Sequence, residues 1–303
     1  MRKTLNSLAI LGALLAPTVA LAQLRITAGY VTASEFLPLF IGAEKGMFAR
    51  RGLAVEPRRI SLITNIPPAL LSGDLQIGVT TVPVLLQAND GGLDILLIAG
   101  AARHLKTNAR IALMVRSDLK LEKPSDLIGK KIGVAGINST MDVFLRKWLK
   151  MKGVDEKQVT RIETNFPQMS DLMKNGTIDA ATMTEPLRSL ALKNGVAYVF
   201  NEYASEVNPD VLMIAYMATS DWARKNPQAV KDFRAGLDEA GEWAKANPGE
   251  IRAIEQKYLG VSSDAPNNFT TAMNAADIDF YITLGKEFGL YKTALDPRKL
   301  IVE

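Results

Sequence analysis

The chain has 303 residues, a formal net charge of +4, one histidine and no cysteine. Without cysteine there are no disulfides, thiolate metal sites or thiol nucleophiles, and one histidine makes neither a catalytic metal cluster nor a Ser-His-Asp set convincing. The basic residues are scattered, with Arg50-Arg51 and Arg58-Arg59 as short solvated pairs, so nothing points to nucleic acid.

Residues 1–22 read as a secretory signal peptide. Arg2 and Lys3 are charged, Leu8 to Leu15 is apolar, and Ala20-Leu21-Ala22 has the A-x-A form of a cleavage site. The apolar run is too short for an anchoring helix, and no cysteine follows to carry a lipid. Cleavage after Ala22 leaves 281 residues beginning at Gln23, and loss of Arg2 and Lys3 takes the net charge to +2. A periplasmic destination is expected. The remaining length suits one large domain or two lobes with real cores.

Leu24 to Val31 reads as a strand and Phe36 to Arg50 as a helix, with Phe36, Leu39, Phe40, Ala43 and Met47 at helical spacing. Ala54 to Ile60 is a strand, Pro67 lies in a short helix, and Leu75 to Val79 is the next strand. Val84 to Ala88 is helical, and Leu93 to Ala99 is apolar almost throughout, as a buried parallel strand requires. Ile111 to Val115 reads as a crossover strand. A second unit follows: strand Lys131 to Ala135, helix Thr140 to Lys152, strand Val159 to Glu163, a helix at Pro167, strand Ile178 to Thr182 and strand Val196 to Phe200. Leu212 to Ala218 is the return crossover. Gln228 to Ala246, Glu250 to Tyr258 and Asn268 to Phe288 are helical, with Pro227, Pro248 and Pro266 near their starts.

The two units repeat one pattern. Thr64-Asn65-Ile66-Pro67 opens a helix that ends at Ser72-Gly73, and the strand after it stops at Thr81-Val82-Pro83. Thr164-Asn165-Phe166-Pro167 opens another that ends at Asn175-Gly176, and its strand stops at Thr184-Glu185-Pro186. The polar loops fall at the carboxyl ends of strands, where open α/β sheets bind ligands. The expected organisation is 23–105 in lobe 1, 106–213 in lobe 2 and 214–303 back in lobe 1, with two crossovers as a hinge and a ligand cleft between.

Glu44-Lys45-Gly46-Met47-Phe48 with Arg51-Gly52-Leu53 resembles the "EKGFF…GL" signature of the nitrate/sulfonate/taurine (NMT1-like) solute-binding proteins of ABC importers. Similar stretches are Leu71 to Val79, Asp126 to Val134, Glu185-Pro186, Asn226 to Val230 and Ala246-Asn247-Pro248, which together span nearly the whole mature chain. The resemblance implies a type II periplasmic binding fold, a monomer, no cofactor, no catalysis, and delivery of a solute to an inner-membrane ABC permease. Its wider group also holds binders of thiamine precursors, so a pyrimidine or other amine is an alternative ligand, and presenting the solute to a membrane sensor is an alternative to import. The pyrimidine synthases of this fold use a Cys/His-rich segment that this chain lacks.

Candidate ligand contacts follow from the loops. Ser34 is placed to cap the helix after the first strand, and Glu35 either meets ligand or complements that helix dipole. Thr64 and Asn65 face Asn165 and Phe166 from opposite lobes, and Asn138, Ser139 and Thr140 open a further helix. Converging helix N-termini suit an anion such as a carboxylate or sulfonate. Thr80, Thr81 and Thr184 end strands at the cleft. Glu185 either pairs with a ligand ammonium or stabilises the helix opening at Pro186. Phe36 and Phe166 are apolar walls or core. His104 reads as a structural group.

Overall fold

The computed structural model describes residues 23–262 and 268–302. The signal-peptide reading and Pro266 lie outside the described residues. The first unit runs β1 (Leu24–Tyr30), α1 (Leu37–Glu44), β2 (Leu53–Arg59), α2 (Ile66–Leu71), β3 (Ile77–Thr80), α3 (Val82–Asp90) and β4 (Ile95–Leu105). The second runs β5 (Ala112–Arg116), β6 (Lys131–Val134), α4 (Thr140–Met151), β7 (Thr160–Glu163), α5 (Phe166–Lys174), β8 (Ala180–Met183), α6 (Leu187–Lys193), β9 (Ala197–Asn201) and α7 (Tyr203–Val207). The chain then forms β10 (Asp210–Thr219), α8 (Ser220–Lys225), α9 (Pro227–Ala246), α10 (Pro248–Leu259) and α11 (Ala275–Glu287).

Among the described residues the strands make two five-stranded sheets, ordered β2-β1-β3-β10-β4 and β7-β6-β8-β5-β9. The sequence repeat is thus a repeat of topology. In each sheet three strands are parallel, and a strand arriving from the other lobe runs antiparallel between two others. The result is the two-lobed α/β architecture with two crossovers that the sequence predicts.

Four expectations change. The helix after β1 stops at Glu44, because Gly46 and Gly52 take positive φ and turn the chain around Phe48. That ring stacks on Phe233 of α9 at 5.2 Å, between Gly42 and Gly236. β4 is buried as predicted, yet its sheet neighbour is the antiparallel β10. Burial on both faces, not parallel pairing, explains its apolar run. β10 begins at Asp210, ahead of the crossover strand expected from Leu212. The last long helix begins at Ala275 rather than Asn268. Residues 268–271 instead run along the free edge of β4: Gly100 N–H donates to Thr271 O at 2.9 Å, and Arg103 N–H to Asn268 O at 2.9 Å. Pairing that edge satisfies backbone groups that would otherwise stay open.

The edge pairing needs a glycine. A Cβ on Gly100 would sit 2.7 Å from the carbonyl oxygens of both Thr270 and Ala272. These are backbone atoms with no rotamer to change. We expect Gly100→Ala to lower stability by about 1–3 kcal/mol, the usual cost of forcing an extra methyl into a packed region. A urea melt checks this; an unchanged midpoint would show that the 268–271 segment is not held against β4.

Candidate functional site

The loops at the carboxyl ends of β1, β2, β3, β6, β7 and β8 converge between the two sheets. They enclose, mouth included, a cavity of about 650 Å³. Its walls are largely apolar, with Val31, Ile63, Ile111, Met141, Phe166 and Met213 among them. Hydroxyls come from Thr32, Ser61, Thr81, Ser139, Thr140 and Thr184, and one amide from Asn165. Glu35 is the one ionisable side chain among the described lining residues.

Glu35 sits in a short 3-10 turn, Ser34–Phe36, that follows β1. Thr184 Oγ1, at the end of β8 in the other lobe, donates to Glu35 Oε1 at 2.8 Å. Arg110, buried in the β4–β5 crossover, places Nε 3.7 Å from the same oxygen. The neighbouring backbone repeats the clasp, for Ser34 N–H donates to Glu185 O at 3.1 Å. Two further contacts join the lobes at the cavity: Thr140 N–H donates to Thr81 Oγ1 at 3.3 Å, and Thr140 Oγ1 to Met213 O at 3.4 Å. The lobes are therefore closed on each other.

The structure sorts the candidate residues. Glu35, Thr81, Ser139, Thr140, Asn165, Phe166 and Thr184 line the cavity. Asn165 caps α5, its Oδ1 accepting from Gln168 N–H at 3.1 Å. Ser139 precedes α4 without a side-chain cap bond. The other six are turned to different tasks. Ser34 is not the cap of its turn; Ala33 is, because it holds the extended conformation before it. Thr64 Oγ1 donates across the cleft to Glu163 Oε1 at 3.3 Å. Asn65 is exposed and makes no cap bond to α2. Thr80 Oγ1 donates to Thr81 O at 3.0 Å. Asn138, at φ 60°, exchanges amide contacts with Gln87 of α3, donating to Gln87 Oε1 at 3.0 Å. Glu185 Oε2 accepts from Ser189 N–H at 3.2 Å, so its carboxylate serves the first turn of α6. Of the two readings open for each glutamate, the geometry gives the cavity to Glu35 and the helix to Glu185. Phe36 is core, fully buried.

Sequence reasoning missed Arg110 and the wall residues Ile111 and Met213. Nothing in local spacing marks them, since they come from the two crossovers and meet Glu35 only through the fold. It also missed the brace under α4. Buried Asp142 accepts from Asn138 N–H at 2.8 Å and from Arg161 Nη1 at 2.6 Å. Burial raises its carboxyl above the ordinary value, against the pull of Arg161 and the Asn138 N–H. The acidic residue in the first turn of α4 is thus held away from the cavity, and the helix start faces it.

Two lobes closing over a cavity built from strand-end loops define the type II periplasmic binding fold. A solved relative in fold is the alkanesulfonate-binding protein SsuA from Xanthomonas axonopodis pv. citri, bound to MOPS: TM-score 0.81, 15% identity, covering 93% of this chain and 99% of that one. The family model described as NMT1/THI5 like matches residues 33–251, and the chain belongs to that family. It is 29% identical over 226 residues to the taurine-binding periplasmic protein of Escherichia coli K12, covering 74% of this chain and 67% of the relative. It is 26% identical over 255 residues to the bicarbonate-binding protein CmpA of Synechococcus, covering 76% of this chain and 56% of CmpA. The chain therefore spans only a little over half the length of CmpA. Among the described residues no helix is long and apolar enough to cross a membrane.

His104 lies behind the cavity, on β4, its Nε2 3.1 Å from Ser205 Oγ on α7 of the other lobe. Burial holds its imidazole below the ordinary value, while Glu202 and Asp210 pull the other way. Above pH 6.5 both folded and unfolded chains are neutral here, and His104 adds no pH dependence. As the pH falls through about 6.5 the unfolded chain binds the proton first, so stability falls. We expect His104→Gln to flatten the loss of stability between about pH 6.5 and 5. Urea melts at several pH values check this; identical slopes in both proteins would remove His104 from the acid response.

Proposed function

We propose that the protein is the extracytoplasmic solute-binding component of an ABC importer. It captures a small organic solute in the interlobe cavity and hands it to an inner-membrane permease. The observation that carries this reading is a cavity whose walls come from both lobes and both crossovers, so that a solute inside it favours closure. Such coupling is what delivery requires, because the closed state differs in shape from the open one.

The solute proposed is a carboxylate or sulfonate with an apolar body. Ser139, Thr140 and Met141 bring the start of the twelve-residue α4 to the cavity. A helix start offers N–H groups and the positive end of a dipole to an acid group. Relatives named for taurine and bicarbonate support a small acid in general terms. The apolar walls favour a solute with carbon to bury over a bare oxyanion.

A thermal-shift screen of sulfonates, carboxylates, nitrate and bicarbonate tests the reading. At about a hundredfold excess over Kd, a true solute adds roughly 2.7 kcal/mol of stability. A screen in which only molecules without an acid group raise the Tm would sink the acid assignment. Export is a separate part of the proposal. N-terminal sequencing of the protein from a periplasmic fraction should begin at Gln23, and intact Met1 confined to cytosol would overturn it.

A further inference from the structure

We propose that Glu35 selects solutes that carry an ammonium, an amidine or a comparable N–H donor in addition to their acid group. The inference rests on the reading of the cleft as a solute site and narrows the class of molecule that fits it.

Three observations meet at this side chain. Glu35 lines the cavity, yet the residue is only 8% exposed. Its Oε1 is committed, to Thr184 Oγ1 at 2.8 Å and to Arg110 Nε at 3.7 Å. Its Oε2 is buried and accepts no hydrogen bond among the described residues. A buried carboxylate oxygen without a donor is costly, and native structures leave few of them. The remaining described cavity wall offers hydroxyls, one amide and hydrocarbon, with no lysine, arginine or histidine in it. An N–H donor on the solute is the chemistry that completes Oε2. A bare oxyanion has no N–H to give Oε2.

The separation from the acid subsite fits a bifunctional solute. Glu35 belongs to the loop after β1 in one lobe, whereas Ser139 and Thr140 open α4 in the other. A molecule with an acid at one end and an amine at the other would touch both lobes at once. Glu185, the other glutamate of this region, is not among the residues lining the cavity, and its Oε2 accepts from Ser189 N–H.

The test uses matched pairs and the purified full chain. Thermal shift followed by calorimetry compares 2-aminoethanesulfonate with ethanesulfonate and 3-aminopropanoate with propanoate, with propylamine, nitrate and bicarbonate as single-function probes. The expected result is preference for the amine-bearing member of a pair. Glu35→Gln, which keeps an oxygen for Thr184, should weaken that member by about 30-fold or more. Propylamine binding alone would uphold Glu35 and remove the acid subsite. An amine-free acid or bare oxyanion binding as tightly as its amine partner would overturn the proposal while leaving the solute reading intact. So would Glu35→Gln with unchanged affinity, since a water or a purely structural role then accounts for Oε2. No binding by any probe would count against both readings together. Should Glu35→Gln fail to fold, the pairwise preference of the unmodified protein still decides.

Discussion

Each sheet is completed by a strand that comes from the opposite lobe. β5 leaves the first lobe and inserts antiparallel between β8 and β9; β10 leaves the second and inserts antiparallel between β3 and β4. The crossovers are therefore hydrogen-bonded into both cores rather than strung between them. This fixes where the lobes can pivot, and it holds the strand-end loops of one sheet opposite those of the other. Ile111 and Met213, which stand on the crossovers, become floor to the cavity for the same reason. A hinge of two strands that are each part of a sheet bends at its ends, which is the geometry of lobe closure.

Polar contacts between the lobes lie both at the cavity and around it. Thr184 to Glu35, Ser34 to Glu185 and Thr140 to Thr81 all cross from lobe to lobe within the site. Away from it, Lys147 and Lys150 of α4 reach Glu287 of α11 at 2.8 Å and 2.9 Å. Lys150 is well exposed in that pair, so the bridge is worth little in water and weakens with salt. The buried contacts around Glu35 share closure with those from Thr64 to Glu163, Asn138 to Gln87 and His104 to Ser205. Their net value is modest, about 1 kcal/mol for an ordinary hydrogen bond and more for one to a charge. A bound solute that bridges both lobes adds to a balance of that size and shifts it appreciably.

The fold was legible because its signals are local. Apolar runs of strand length, Pro at helix starts and Gly at helix ends place nearly every element to within a few residues. The failures share a cause. The 268–271 segment reads as helix by composition, yet the open edge of β4 offers its backbone hydrogen bonds that a helix start does not. β4 reads as paired in parallel by its apolar run, yet the run reports burial and is silent about which strand lies beside it. In the site, Asn165 and Thr184 were readable because a capping residue and a strand-end hydroxyl keep their place in any α/β unit. Arg110 was not, because its partner Glu35 is 75 positions away and joined to it only by the crossover.

The two glutamates show why residue type alone does not assign a role. Both follow strands, both stand at the opening of a helical turn, and both are buried. The difference lies in the local turn. After Glu185 comes α6, whose Ser189 N–H, four residues on, is within reach and takes the carboxylate. Glu35 lies inside a three-residue turn that runs into α1 through Phe36, and no N–H of that turn takes Oε2. The carboxylate then finds its partners from other elements, Thr184 and Arg110, and is left on the cavity wall. A local donor turns one glutamate to the first turn of its helix; the lack of one leaves the other on the cavity wall. The chemistry of this cleft depends on that difference in backbone more than on the acidity the two residues share.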